Sequence, residues 1–174
     1  MSQLYSAKAV VSWLCLVLLA PTLSSHALAQ AAGEGPTCAT VLTSDAITKS
    51  VGEAFRDDGM ERSRSGTTTC EWASKRGTSG VKAISVTFLG TAALTANPAS
   101  SSPDAYFDTV VSAGDPSGKI KREELAGIGT KAIFVSKPPF GFVTVKRADG
   151  VVSLTGMNLT KAQITALARA AAAP

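Results

Sequence analysis

Apolar residues follow two alternating spacings along this chain, one of four positions and one of two. Ile47, Val51 and Phe55 recur every four positions, which gathers them on one face of a helix. Thr43 or Ser44 can cap its start, and Asp45 sits well at the positive end of its dipole. Gly59, just after Asp57 and Asp58, can take the left-handed conformation that closes it. The spacing then falls to two. Thr67 to Ser74 reads as a strand with Cys70 and Trp72 on one face and Glu71 and Ala73 on the other. Gly77 to Gly80 makes a turn, and Val81 to Leu89 is a second strand that sets Ile84, Val86 and Phe88 against Ser85 and Thr87. Thr91 to Ser102, rich in Ala, Ser, Thr and Pro, reads as a surface connection. A second helix follows, capped by Ser102, with Pro103 in its first turn, a stripe of Tyr106, Phe107, Val110 and Val111, and Gly114 at its end.

Strand spacing returns in the second half, over Lys119 to Leu125 and Ala132 to Val135, on either side of a Gly127-Ile128-Gly129 loop. Lys137 to Gly141 is a turn. Asp149-Gly150 suits a two-residue hairpin turn with positive φ at both positions. Counting outward from it pairs Val145 with Leu154 on one face, and Thr144 with Thr155 and Lys146 with Ser153 on the other. Thr160 and Gln163 form a capping box for a last helix, with Leu159 and Ile164 as its hydrophobic staple. The expected fold is α+β, a largely antiparallel sheet of about 5–6 strands with helices packed on it. It forms one domain over residues 38–174, without repeats, preceded by a flexible stretch at 30–37.

The first 29 residues follow neither spacing. Lys8 is the one charge before an apolar run from Val10 to Ala20, Pro21 ends that run, and Ala27-Leu28-Ala29 offers small residues at both key positions of a cleavage site. This pattern predicts a signal peptide over 1–29, cut before Gln30, and a periplasmic or secreted product. The apolar run has about 11 residues where a bilayer span needs roughly 20, so no stable transmembrane segment is expected after cleavage. Cys15 lies within the run, behind a poor lipobox match in Ser12-Trp13-Leu14, and reads as signal core.

Cleavage changes the chemistry as well as the address. It removes His26, the chain's one histidine, and with it Ser-His-Asp hydrolysis, Cys-His proteolysis and any histidine-ligated metal. All thirteen acids follow the leader, and losing Lys8 leaves sixteen of the seventeen Lys and Arg, a net charge of +3. That mild excess suits an anionic envelope component or an acidic protein and falls far short of a nucleic-acid-binding composition. Only Cys38 and Cys70 remain, and in an oxidising compartment they are expected to pair. Closing a loop of about 31 residues stabilises a fold by roughly 3–4 kcal/mol in the chain-entropy model. A redox pair would favour C-x-x-C, which the chain lacks.

No catalytic residue, cofactor or metal site is expected. Glu123 and Glu124 are adjacent on a strand and so point to opposite faces, while Asp57-Asp58 reads as a helix terminator. Asp115 to Glu124 lacks the alternating oxygen ligands of a calcium loop. Gly127 to Lys131 lacks Walker spacing and leads into a strand, which makes it a tight turn. Asn158-Leu159-Thr160 fits a glycosylation sequon, although Thr160 already has a capping role. Two surface features remain. Lys119, Lys121, Arg122, Lys131, Lys137, Lys146 and Arg147 concentrate positive charge, either as a solvated sheet face or as a patch for an anionic partner. The hairpin count sets Phe142 opposite Met157 on the otherwise polar face, with Phe140 at the same parity. Either a helix covers these three or they form an exposed apolar spot beside Pro138-Pro139, a candidate binding surface together with Lys137 and Lys146.

The order Cys38, Leu42, Val51-Gly52, Cys70-x-Trp72, Gly127-Ile128-Gly129 before Lys131-Ala132, and a late amphipathic helix resembles small exported domains of unknown function known mainly from actinobacterial envelope lipoproteins. Those domains look akin to the PsbP-like α/β/α fold, a bent antiparallel sheet between helices. This chain departs from them in lacking a lipidated cysteine after the leader, so the resemblance does not carry membrane anchoring. It implies a binding or accessory module and transfers no site residue. The expectation is therefore a non-enzymatic envelope module that binds an envelope protein or anionic envelope component. The alternative is an inhibitor or immunity-type protein that blocks an envelope enzyme through the Pro138 to Gly141 turn, and a third reading, less favoured, is an enzyme working through Lys, Ser or carboxylate chemistry.

Overall fold

The computed structural model describes residues 36–56, 60–74, 80–96, 102–113 and 120–173. Every described residue belongs to one compact unit. The leader, the Asp57-Asp58-Gly59 helix end, positions 77–79 of the first turn, Gly114, Asp115 and Lys119 lie outside the described residues. In chain order the elements are α1 (Cys38–Val41), α2 (Ser44–Val51), β1 (Met60–Arg64), β2 (Thr67–Ala73), β3 (Ala83–Gly90), α3 (Thr91–Thr95), α4 (Pro103–Ala113), β4 (Arg122–Glu124), β5 (Lys131–Lys137), β6 (Phe140–Arg147), β7 (Gly150–Met157) and α5 (Lys161–Ala171). No helix among them is long and apolar enough to cross a membrane.

The strands form one seven-stranded sheet in the order β1-β2-β3-β7-β6-β5-β4. Every neighbouring pair is antiparallel, so the fold is α+β with more strands than expected. The extra strand is β1, Met-Glu-Arg-Ser-Arg, exposed along its whole length. It has no apolar alternation, and its charged residues are what an edge strand needs to discourage pairing with other chains. β1 and β2 are joined by Ser65-Gly66, with φ of 50° and 76°. Two-residue hairpin turns favour positive φ at both positions, because that matches the twist of the strands.

The turn expected at Asp149-Gly150 sits one residue earlier. Arg147 pairs with Gly150, leaving Ala148 and Asp149 as the loop, so Val145 faces Val152 and Thr144 faces Ser153. The partners slide by two residues, and because strand side chains alternate with period two, each residue keeps its predicted face. Two contacts hold this register. The Arg147 guanidinium donates twice to the Asp149 carboxylate at 2.8 Å. A Cβ on Gly150 would meet the Leu89 carbonyl oxygen at 2.1 Å, so Gly150 belongs inside the sheet against β3.

One sheet face carries the main core. Cys70, Trp72, Ile84, Val86, Leu154, Val143 and Phe134 point into it from the strands, and Ile47, Val51, Ile164, Leu167 and Ala171 meet them from α2 and α5. Burying each large apolar side chain contributes about 1.5–3 kcal/mol. α2 starts as expected, with the Thr43 hydroxyl accepting from Ala46 N. It ends early, because Gly52 takes a left-handed φ of 82°, and Phe55 reaches the core from an extended segment bridged to Ser74. The α5 capping box between Thr160 and Gln163 is present, and Gln163 Nε2 also donates to Val51 O at 2.8 Å, tying the two helices together.

α5 can lie close to the sheet because Gly141 and Gly156 face each other across β6 and β7. A Cβ at Gly141 would come within 2.4 Å of Ile164 Cδ1, and one at Gly156 within 2.9 Å of Ile164 Cγ1. The paired glycines thus form a dent that Ile164 fills. Cys38 and Cys70 form the expected disulfide, with Cα atoms 5.6 Å apart. It pins the short helix α1, absent from the sequence reading, to the second strand, and Glu61 accepts from Cys38 N at 2.9 Å beside it.

Candidate functional site: the open end of the second sheet face

The strand register sorts the other sheet face into rows that run across the strands. At one end lie Leu89, Val151, Lys146 and Lys131. α3 and α4 cover this end, with Leu94, Phe107 and Val151 fully buried in a second small core. The Thr91 to Ser102 connection therefore contains a helix of its own, and Leu94 anchors it. Ser102 caps α4 as expected, accepting from Ala105 N at 3.2 Å.

Two rows at the opposite end have no such cover among the described residues. One contains Ala73, Ala83, Met157, Phe140 and Lys137, and the next contains Met60, Glu71, Ser85, Thr155, Phe142, Val135 and Arg122. Together they shape a groove of about 500 Å³ whose lining includes Met60, Glu71, Ala83, Phe140, Met157 and Arg56, with no residue of α3 or α4. Small side chains on β2 and β3 make its floor. Met60 forms one wall, 52% exposed, and Phe140 the other, 40% exposed. The Phe140 and Phe142 rings lie 6.2 Å apart, tilted by 34°, so they support each other as one apolar surface.

Sequence reasoning grouped Phe140, Phe142, Met157, Lys137 and Lys146. The structure brings the first four together, although Phe140 rather than Phe142 faces Met157. Lys146 stands apart. It lies six residues along β6 from Phe140, about 20 Å at strand rise, and pairs with Asp104 of α4. Met60 and Arg56 were missed. Counting outward from Ser65-Gly66 as a hairpin turn would have placed Met60 opposite Glu71 and found the wall.

The expected cluster of cations is divided by pairing. Lys131 meets Asp108 at 3.6 Å and lies 5.0 Å above the Phe107 ring, while Arg147 pairs with Asp149. At the open end Arg56, Arg122 and Lys137 have no ion-pair partner among the described residues. Glu71 is the one acid of the two rows.

Other candidate positions have structural explanations. Glu123 and Glu124 point to opposite sides, and Glu123 bonds Lys161 of α5, whose ammonium holds its carboxyl below the usual range. Ile128 of the glycine loop is a buried core residue, and the loop leads into β5. Asn158 of the sequon uses its amide to donate to Val81 O at 2.8 Å. A second cleft, about 450 Å³, lies beside Pro138, Pro139 and Lys161 and shares Phe140 with the groove. Among the described residues no group of His, Cys, Asp and Glu is placed to hold a metal. No protein-family model, curated protein or solved structure matches this chain.

Proposed function

We propose that this protein is an exported, non-catalytic binding module of the cell envelope, and that its binding surface is the open end of the second sheet face. One observation carries the reading. Met60, Phe140, Phe142 and Met157 line up on a surface that α4 covers at one end and leaves bare at the other. Apolar patches with a polar rim mark interaction sites, and methionines beside aromatic rings adapt well to a partner. Export is supported by the leader pattern of the sequence and by a disulfide that suits an oxidising compartment. The resemblance to exported envelope domains supports an accessory rather than a catalytic role.

In-cell photocrosslinking tests this. A benzophenone amino acid in place of Met157 is expected to capture an envelope component. The same group in place of Ala162, exposed on α5, is expected to capture none. No adduct at 157, or equal adducts at both positions, overturns the reading.

A further inference from the structure

The covered end of this sheet face shows how the surface accepts a helix. α4 sets Phe107 down onto Val151, and the acids of successive turns, Asp104 and Asp108, hold Lys146 and Lys131 of the sheet. The open end repeats the sheet's side of that arrangement, large apolar side chains flanked by cations, without the helix.

We infer that the open end docks an acidic amphipathic helix from a partner protein, which lies on the sheet beside α4 and takes carboxylates to the two ends of the groove. This rests on the binding-surface reading above. The cations are the reason for the choice. Arg56 donates its backbone N–H to Ala73 O at 3.2 Å and so sits beside β2, where β1 would continue, while Lys137 lies on β5. Five strand spacings separate the two, about 24 Å at ~4.8 Å each. A helix of about 16 residues spans that distance. A single lipid headgroup can neutralise one end only, whereas a helix with Glu or Asp near both termini reaches both. The exposed rings and methionines in between supply the apolar contact that groove-bound helices use, and Glu71, on β2 beside the Arg56 end, confines the acid of that end to the reach of Arg56.

The test uses protein purified from the periplasm of a bacterial host. Binding is read from the fluorescence anisotropy of labelled peptides and from co-sedimentation with vesicles, because Trp72, the one tryptophan after the leader, is buried in the core on the other sheet face. Three probes are compared. The first is a 16-residue helical peptide with Leu and Phe on one face and Glu near both ends, the second is the same peptide with Gln for Glu, and the third is phosphatidylglycerol vesicles. The Glu peptide is expected to bind at least tenfold tighter than the Gln peptide, with the preference shrinking as salt rises. R56E/K137E should reverse it, favouring a fourth probe, the same peptide with Lys for Glu, with an unchanged circular dichroism spectrum showing that the fold is intact. Equal binding of the Glu and Gln peptides overturns the inference, as does binding of vesicles but not of the Glu peptide. If no peptide binds while the residue-157 crosslink forms, the helix inference falls and the binding-surface reading stands. If the crosslink also fails, both fall.

Discussion

The two ends of the second sheet face are built from the same strands, yet one is covered by helices and, among the described residues, the other is not. Under α4, Phe107 is 1% exposed and Lys146 and Lys131 each have an acid partner. Past the threonine-rich middle row, where Thr69 and Thr87 share a hydrogen bond of 3.2 Å, Phe140 is exposed and Arg56, Arg122 and Lys137 have no ion-pair partner among the described residues. A side chain that completes a core and one that stays exposed can thus belong to one residue type on one surface. Only the cover distinguishes them.

Substitutions at the two ends should therefore differ most where the residue type is the same. Phe107→Ala removes the buried anchor of α4, and a loss of about 3–5 kcal/mol is expected in urea unfolding. A loss below about 1 kcal/mol would mean that α4 is not held as described. Asp104→Asn at the same end breaks an ion pair whose acid is largely exposed, and should cost at most about 1 kcal/mol, shrinking in salt. Phe140→Ala loses a half-exposed ring and its contact with Phe142 and should cost only about 1 kcal/mol in the same assay, while abolishing capture at residue 157. A large stability loss there would give Phe140 a core role and erase the contrast.

The smallest effect concerns acid. The Lys161 ammonium lowers the Glu123 pKa in the fold, so the stability this pair adds is present above the ordinary glutamate range and is lost as pH falls through the folded value. Glu123→Gln should flatten that part of the pH–stability curve. An unchanged curve for Glu123→Gln would mean that this pair adds nothing to the fold.

Much of the fold was legible because one-sided burial leaves a periodic trace. Cys70 and Trp72, Ile84 to Phe88, and the Thr160 to Gln163 cap all follow from spacing alone. β1 left no such trace, because an edge strand exposed along its length gains nothing from apolar alternation. α3 is hidden by composition, since five residues of Thr, Ala and Leu look like a connection until Leu94 is seen inside the second core. The hairpin slipped by two because Asp149-Gly150 obeys the local turn rule, whereas the deciding contact is between Gly150 and Leu89, residues far apart in sequence. The candidate site was half legible for the same reason. Phe140, Phe142 and Met157 lie within one hairpin, but Met60 and Arg56 come from the other side of the sheet.

The facing glycines of β6 and β7 impose a rule on how this protein can change. Gly141, Gly156 and Ile164 share a single volume, so enlarging either glycine requires the Ile164 side chain to turn away, residue 164 to shrink or α5 to lift. Descendants of this chain should therefore vary at the three positions together or not at all, and that joint substitution pattern offers a fingerprint for recognising distant kin when the rest of the sequence has drifted.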